Sequence, residues 1–124
     1  MIILLDAMGG DNAPDANIKG TIKAVNQIKA DVTLIGKEEI IRSKIKEFSG
    51  KEVEEISERI KIKNATETIE MEDQPTVAIK HKKDSSMVVG FKMLKEGEGD
   101  VFISAGNSGA LLAGATLLVG RIKG

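Results

Sequence analysis

The strongest constraint in this sequence is a repeated alternation of short unbroken apolar runs with longer stretches whose apolar residues recur every three or four positions. Ile2 to Leu5 is the first run, broken by the Gly9 and Gly10 pair, and such a run suits a strand covered on both faces. Pro14 and Asp15 open a first helical turn, after which Ile18, Ile22, Val25 and Ile28 share one helical face. Val32 to Gly36 repeats the strand pattern, and Ile41, Ile45 and Phe48 repeat the one-faced helix. The acidic stretch from Gly50 to Glu58 is either a short surface helix, the favoured reading, or a solvated connection, and Arg59 to Lys63 alternates Ile60 and Ile62 with charges as a half-exposed strand.

Asn64 to Gln74 has no clear period and reads as a loop of functional length. Pro75 opens a helix carrying Val77, Ala78 and Ile79, and Asp84 or Ser85 caps the next one, which runs through Met87, Val88, Phe91 and Leu94 to the Gly97 and Gly99 turn. Val101-Phe102-Ile103 reads as a central strand, and Asn107 or Ser108 starts a long apolar helix that stops near Gly120. Parallel neighbours need crossovers, and those crossovers are right-handed helices, so the expected class is α/β, with a mostly parallel sheet and helices on both faces. At 124 residues and 41% hydrophobic content the chain is the size of one domain. Its most apolar helix comes last with no strand after it, so a chain truncated within a larger fold is expected.

Composition removes several functions. Lys and Arg number 18 against 19 Asp and Glu, so no global field recruits nucleic acid or an anionic membrane. Three Phe with no Tyr or Trp leave almost no platform for stacking bases, which disfavours nucleic-acid binding. The absence of Cys excludes disulfides, thiolate metal sites and a cysteine acyl-enzyme, and fits a reducing cytoplasm. The apolar start is too short for a signal peptide, and Ala110 to Gly120 is about half the roughly 20 residues needed to span a bilayer.

Ligands of open α/β sheets collect at the carboxyl ends of the strands, where both glycine-bearing loops fall. In Ser104-Ala105-Gly106-Asn107-Ser108-Gly109, the glycines let the backbone turn its N–H groups toward an anion, with Asn107 and Ser108 adding donors. Phosphate is the natural occupant, and an ordinary capped turn is an equally good reading of the loop alone. The first loop, Asp6 to Pro14, contains Gly9, Gly10, Asp11 and Asn12 but neither G-x-G-x-x-G nor the P-loop pattern, so NAD and P-loop ATP chemistry lack support. Asp11 or Asn12 is expected to cap the following helix, whereas Asp6, at the strand end, is the better functional candidate. Two carboxylates could attract Mg²⁺, but such pairs are common by chance, so neither a metal nor a cofactor is expected. Lys80-His81-Lys82-Lys83 beside Ser85 and Ser86 could hold phosphate or an acidic carrier protein, although such runs are usually solvated helix faces. Lys83, Ser85 and Ser86 are carried forward as candidates; Met71, Met87 and Met93 are read as core filler.

Four segments in order, Asp6-Ala-Met-Gly-Gly-Asp-Asn-Ala-Pro14, Met71-Glu-Asp-Gln-Pro75, Lys82-Lys-Asp-Ser-Ser-Met87 and Ser104-Ala-Gly-Asn-Ser-Gly-Ala-Leu111, closely resemble the PlsX-type phosphate acyltransferases along the whole chain. The resemblance implies the N-terminal portion of a longer enzyme with a Rossmann-like three-layer α/β/α fold related to phosphotransacetylases and the isocitrate dehydrogenase type. It implies transfer of a fatty acyl group from acyl-acyl-carrier protein to inorganic phosphate for phospholipid synthesis, in a homodimer that meets the inner membrane surface through elements beyond Gly124. Ser108 stands where Thr is commoner, which keeps the hydroxyl, and Lys80 where Arg is commoner, which loses a bidentate phosphate fork. On this reading Asp6, Asp11, Lys83 and Asn107 serve the chemistry, and Gly9, Gly10, Asn12, Ser85, Ser86, Ser104, Ala105, Gly106, Ser108 and Gly109 bind substrate. A phosphate- or nucleotide-binding module without catalysis, a dinucleotide-dependent oxidoreductase and a purely structural fragment are the rival readings.

Overall fold

The computed structural model describes residues 1–115. Four strands, β1 (Ile2–Asp6), β2 (Asp31–Gly36), β3 (Ile60–Asn64) and β4 (Val101–Ile103), form one sheet in the order β3-β2-β1-β4, with every neighbouring pair parallel. The helices are α1 (Asp15–Ala24), α2 (Glu38–Ser49), α3 (Val53–Ile56), α4 (Pro75–His81), α5 (Ser86–Lys95) and α6 (Ser108–Gly114). The expected helix from Asn107 or Ser108 to Gly120 therefore begins on time, but its second half lies outside the described residues.

Strand alternation sorts the core into two faces. Leu34, Val32, Ile60 and Ala7 pack with Ile18 and Val25 and with Ile41 and Ile45 of α2, so the α1 and α2 layer covers one side. Leu4 and Ile35 point the other way, onto Val89 of α5. Behind α5 a further apolar cluster joins Ile79 of α4, Phe91 of α5 and Ala110 of α6. The result is a three-layer α/β arrangement with helices on both faces. The change of face follows from crossover handedness: the chain runs outward from β1 to β3, then returns past β1 to β4, and a right-handed crossover taken in the reverse direction lays its helices on the opposite side. Burying a side chain such as Leu34 or Ile45 fully contributes about 1.5–3 kcal/mol, so the α1 and α2 layer alone supplies much of the driving force.

Three expectations need correction. Val101-Phe102-Ile103 is not central: among the described residues β4 pairs only with β1 and is an edge strand, with Ile103 47% exposed. Its apolar letters are explained on one side by Phe102, which packs edge-on against Phe91 at 5.0 Å between ring centroids and lies over the bare backbone of Gly90. Met71 is not core filler but 53% exposed, because it sits in the turn before α4, whereas Met87 is buried. Neither Asp11 nor Asn12 caps α1 through its side chain; Pro14 takes the cap position with no side-chain bond, and Asn12 contributes its carbonyl, accepting from the Ala16 N–H at 3.0 Å.

Candidate functional site

Strand order reverses at β1, with β2 and β3 laid on one side and β4 on the other, which makes the space at the carboxyl ends of β1 and β4 the topological switch point, where open α/β sheets leave a crevice for ligands. Both glycine loops start there. Asp6 ends β1 and is 2% exposed; its Oδ1 accepts from the Met8 N–H at 3.0 Å and its Oδ2 from the Ser104 hydroxyl at 2.9 Å. Ser104 Oγ in turn accepts from the Gly106 N–H at 3.1 Å. A buried carboxylate thus ties the two loops together through a hydroxyl at the base of the crevice.

Glycine is required where these loops cross. A Cβ on Gly9 would stand 2.8 Å from Asp6 Oδ2 and 2.9 Å from the Gly106 nitrogen, which is backbone and cannot yield. Gly10 has φ +102°, a conformation L residues rarely adopt, and faces the Ala105 side chain. Asp6, Gly9, Gly10, Ser104, Ala105 and Gly106 therefore form one contiguous cluster, and Met87 in the first turn of α5 reaches Gly106.

Two asparagines hold this cluster from behind. The Asn107 amide donates to the carbonyls of Glu70, Met71 and Asp73 at 3.1, 3.3 and 3.0 Å, while its Oδ1 caps α6 by accepting from the Ala110 N–H at 3.0 Å. Asn17 does the same for the first loop, donating to the carbonyls of Asp6, Ala7 and Gly9 at 3.3, 3.0 and 3.0 Å. Sequence reading missed Asn17; the available signal was an Asn inside an otherwise regular helix, where its propensity is poor unless the side chain has work elsewhere. Gly109 packs on Pro75, so a Cβ there would meet the proline ring at 2.7 Å, and this joins the second loop to the start of α4.

The remaining candidates lie further out. Asp11 and Asn12 are exposed on the lip, lining an open cleft of about 460 Å³ with Asp15 and Lys19. Ser85 is fully buried and caps α5, its Oγ accepting from the Val88 N–H at 3.1 Å; Ser86 is buried beside it. Lys83 is exposed and, among the described residues, makes no ion pair. Asp84, the other capping candidate, instead accepts from the Thr66 N–H at 2.9 Å and hydroxyl at 2.5 Å, and these bonds hold its carboxyl below the usual carboxylate range. A larger cleft of about 580 Å³ opens beside Lys37, Arg42 and Asn64, but Arg42 is already paired with Glu38 and Glu54 at 2.9 Å each. Among the described residues no cluster of three or more acidic or His side chains is arranged to hold a metal ion, and no helix is long and apolar enough to cross a membrane.

A family model described as a fatty acid synthesis protein matches residues 1–124. The chain is 57% identical to the phosphate acyltransferase of Acetivibrio thermocellus over 125 residues, 50% to that of Caldanaerobacter subterraneus and 48% to that of Clostridioides difficile. In each case all of this chain is covered but only 35% of the relative, so it spans about a third of the length of these curated relatives. Because that model matches the whole of this chain, the chain belongs to the family of fatty acid synthesis proteins that it describes.

Proposed function

We propose that the complete protein carrying this sequence is a phosphate acyltransferase that moves a fatty acyl group from acyl-acyl-carrier protein to inorganic phosphate, giving acyl phosphate for phospholipid synthesis. The observation that carries this is the crossing of the Asp6 and Ser104 loops at the switch point, in a chain whose relatives bear the name phosphate acyltransferase. Phosphate is itself a nucleophile and a thioester is an activated acyl donor, so attack can be direct: a phosphate oxygen forms the bond to the carbonyl carbon, and the thiolate of the carrier leaves and takes up a proton. The protein supplies orientation and donors for the tetrahedral oxyanion, at about 2.7–4 kcal/mol per donor.

In this scheme the loop from Ser104 to Gly109 cradles phosphate, with backbone N–H groups of Ala105, Asn107, Ser108 and Gly109 aimed at its oxygens and Gly9 and Gly10 as the opposite wall. Asp6 accepts from a protonated phosphate oxygen at the base, Asp11 and Asn12 act from the lip, and Lys83 offsets charge on the α5 side, beside the buried Ser85 and Ser86 that hold the start of α5. The Asn107 side chain shapes the cradle, and its N–H contributes to it. No metal or cofactor takes part. The same proposal includes a homodimer on the cytoplasmic side, in contact with the membrane surface through parts of the protein outside this chain.

The test is to incubate the complete protein with acyl-acyl-carrier protein and phosphate and to trap acyl phosphate as a hydroxamate with hydroxylamine. Hydroxamate that requires both substrates is expected. Saturable phosphate binding with no hydroxamate would replace the enzyme with a non-catalytic binding module. Asn107→Ala is expected to weaken phosphate use more than acyl-carrier use; a defect confined to the acyl donor would overturn the cradle.

A further inference from the structure

Two of the four motifs, Met71 to Pro75 and Lys82 to Met87, meet through Asp73 and Lys82 in one polar joint behind the cradle. Lys82 Nζ donates to Asp73 Oδ2 at 2.6 Å and to the Thr68 carbonyl at 2.9 Å. Asp73 Oδ2 also accepts from the Glu70 N–H at 2.8 Å, which closes the turn from Glu70 to Asp73. The carbonyls of that turn, from Glu70, Met71 and Asp73, are the three that receive the Asn107 amide. The side chains of Lys82 and Asp73 are 31% and 27% exposed, so this is a half-buried pair, shielded from salt better than an ordinary surface pair. Its ammonium also bonds at two points of one loop, a fixed geometry that a single surface contact would not give.

We propose that Asp73 and Lys82 form a positioning pair for the phosphate loop: their contact fixes the turn from Glu70 to Asp73, the turn fixes the Asn107 amide, and Asn107 fixes the loop from Ser104 to Gly109. Neither side chain touches phosphate. The pair sets how well the loop is preorganised, and hence the concentration of phosphate needed. This inference rests on the cradle described above. It differs from a purely structural role, which would lower stability without separating the two substrates.

The experiment compares Lys82→Met, Lys82→Arg and Gly9→Ala in the complete protein by two readouts. Lys82→Met should raise KM for phosphate about tenfold with KM for the acyl donor unchanged. Lys82→Arg, which keeps a cation able to reach both oxygens, should recover most of that loss. Hydrogen exchange should quicken at the Ala110 and Leu111 amides, which bond to the Asn107 Oδ1 and carbonyl. Unchanged exchange in Lys82→Met overturns the coupling, as does a parallel rise in both KM values. Faster exchange with phosphate KM unmoved, while Gly9→Ala raises it, shows that the pair does not reach the cradle and also overturns the proposal. If Gly9→Ala, whose methyl meets Asp6 Oδ2 and the Gly106 nitrogen, leaves phosphate KM unmoved as well, the cradle itself fails, and the role of the pair fails with it for that separate reason.

Discussion

The layer formed by β1, β2 and β3 with α1 and α2 and the loop crossing at Gly9 and Gly106 share the strand β1, yet they are held by opposite means. The first buries Leu34, Ile41, Ile45 and Ile18 completely, with apolar side chains spaced by strand and helix periods. The second has little apolar contact of its own. It is held by side-chain oxygens and amides bonded to backbone, from Asp6, Asn17, Ser104 and Asn107, and by glycines that let two backbones touch. Apolar burial is tolerant of direction and gives stability, whereas backbone carbonyls caught by an amide are held in one geometry, which is what a site for a small anion needs.

That contrast can be broken in order of expected size. Leu34→Ala should cost about 2–5 kcal/mol in denaturant unfolding, by removing buried methyl groups and leaving a cavity, while the KM for phosphate stays as it was. A large change in phosphate KM would show that the two regions are not separate. Gly9→Ala places a methyl against Asp6 Oδ2 and the Gly106 nitrogen, and should lower phosphate-dependent turnover about 100-fold with a smaller loss of stability; an active variant would mean the loops part easily. Asn107→Ala strips the capping oxygen and leaves three carbonyls without their donor, at about 1–3 kcal/mol in thermal unfolding.

The smallest effect is on pH dependence. The Lys82 ammonium and the Glu70 N–H hold the Asp73 carboxyl below its ordinary value. A depressed carboxyl contributes stability that is fully present above the unfolded value of about 3.9 and is lost as pH falls through the lower folded value. Asp73→Asn should therefore lower stability slightly at neutral pH and flatten its fall at the acid end, where variant and parent converge; an unaltered acid slope would mean that the pair is not formed in solution.

How much was legible in the sequence follows the same division. The positions of β1, β2, α1 and α2 follow from apolar period, while residue type at a helix start narrowed the caps of α5 and α6 to Asp84 or Ser85 and to Asn107 or Ser108, of which the structure uses Ser85 and Asn107. That β4 has a neighbour on one side only among the described residues was not legible, because Val101-Phe102-Ile103 carries the letters of a buried strand while its burial depends on which strand lies beside it. The exposure of Met71 and the capping by Pro14 likewise depend on how the loops are tied. Asn17 read as an ordinary helix residue, and Asp73 and Lys82 only as members of a loop motif and of a basic cluster, since the bonds they make go to a side chain nine positions away or to backbone carbonyls that no letter marks.

The sequence by itself determined the alternation of strands and helices, the parallel class and the presence of two glycine loops at strand ends, because these rest on local periods and on the conformations open to Gly and Pro. Only the tertiary structure decided that the chain turns back at β3 and lays β4 beside β1. That pairing lets Ser104 reach Asp6 across 98 positions of sequence, and Gly9 touch Gly106. Such contacts exist only once the sheet has ordered its strands, since their geometry is set by the spacing of neighbouring strands and not by any local preference of the residues that make them.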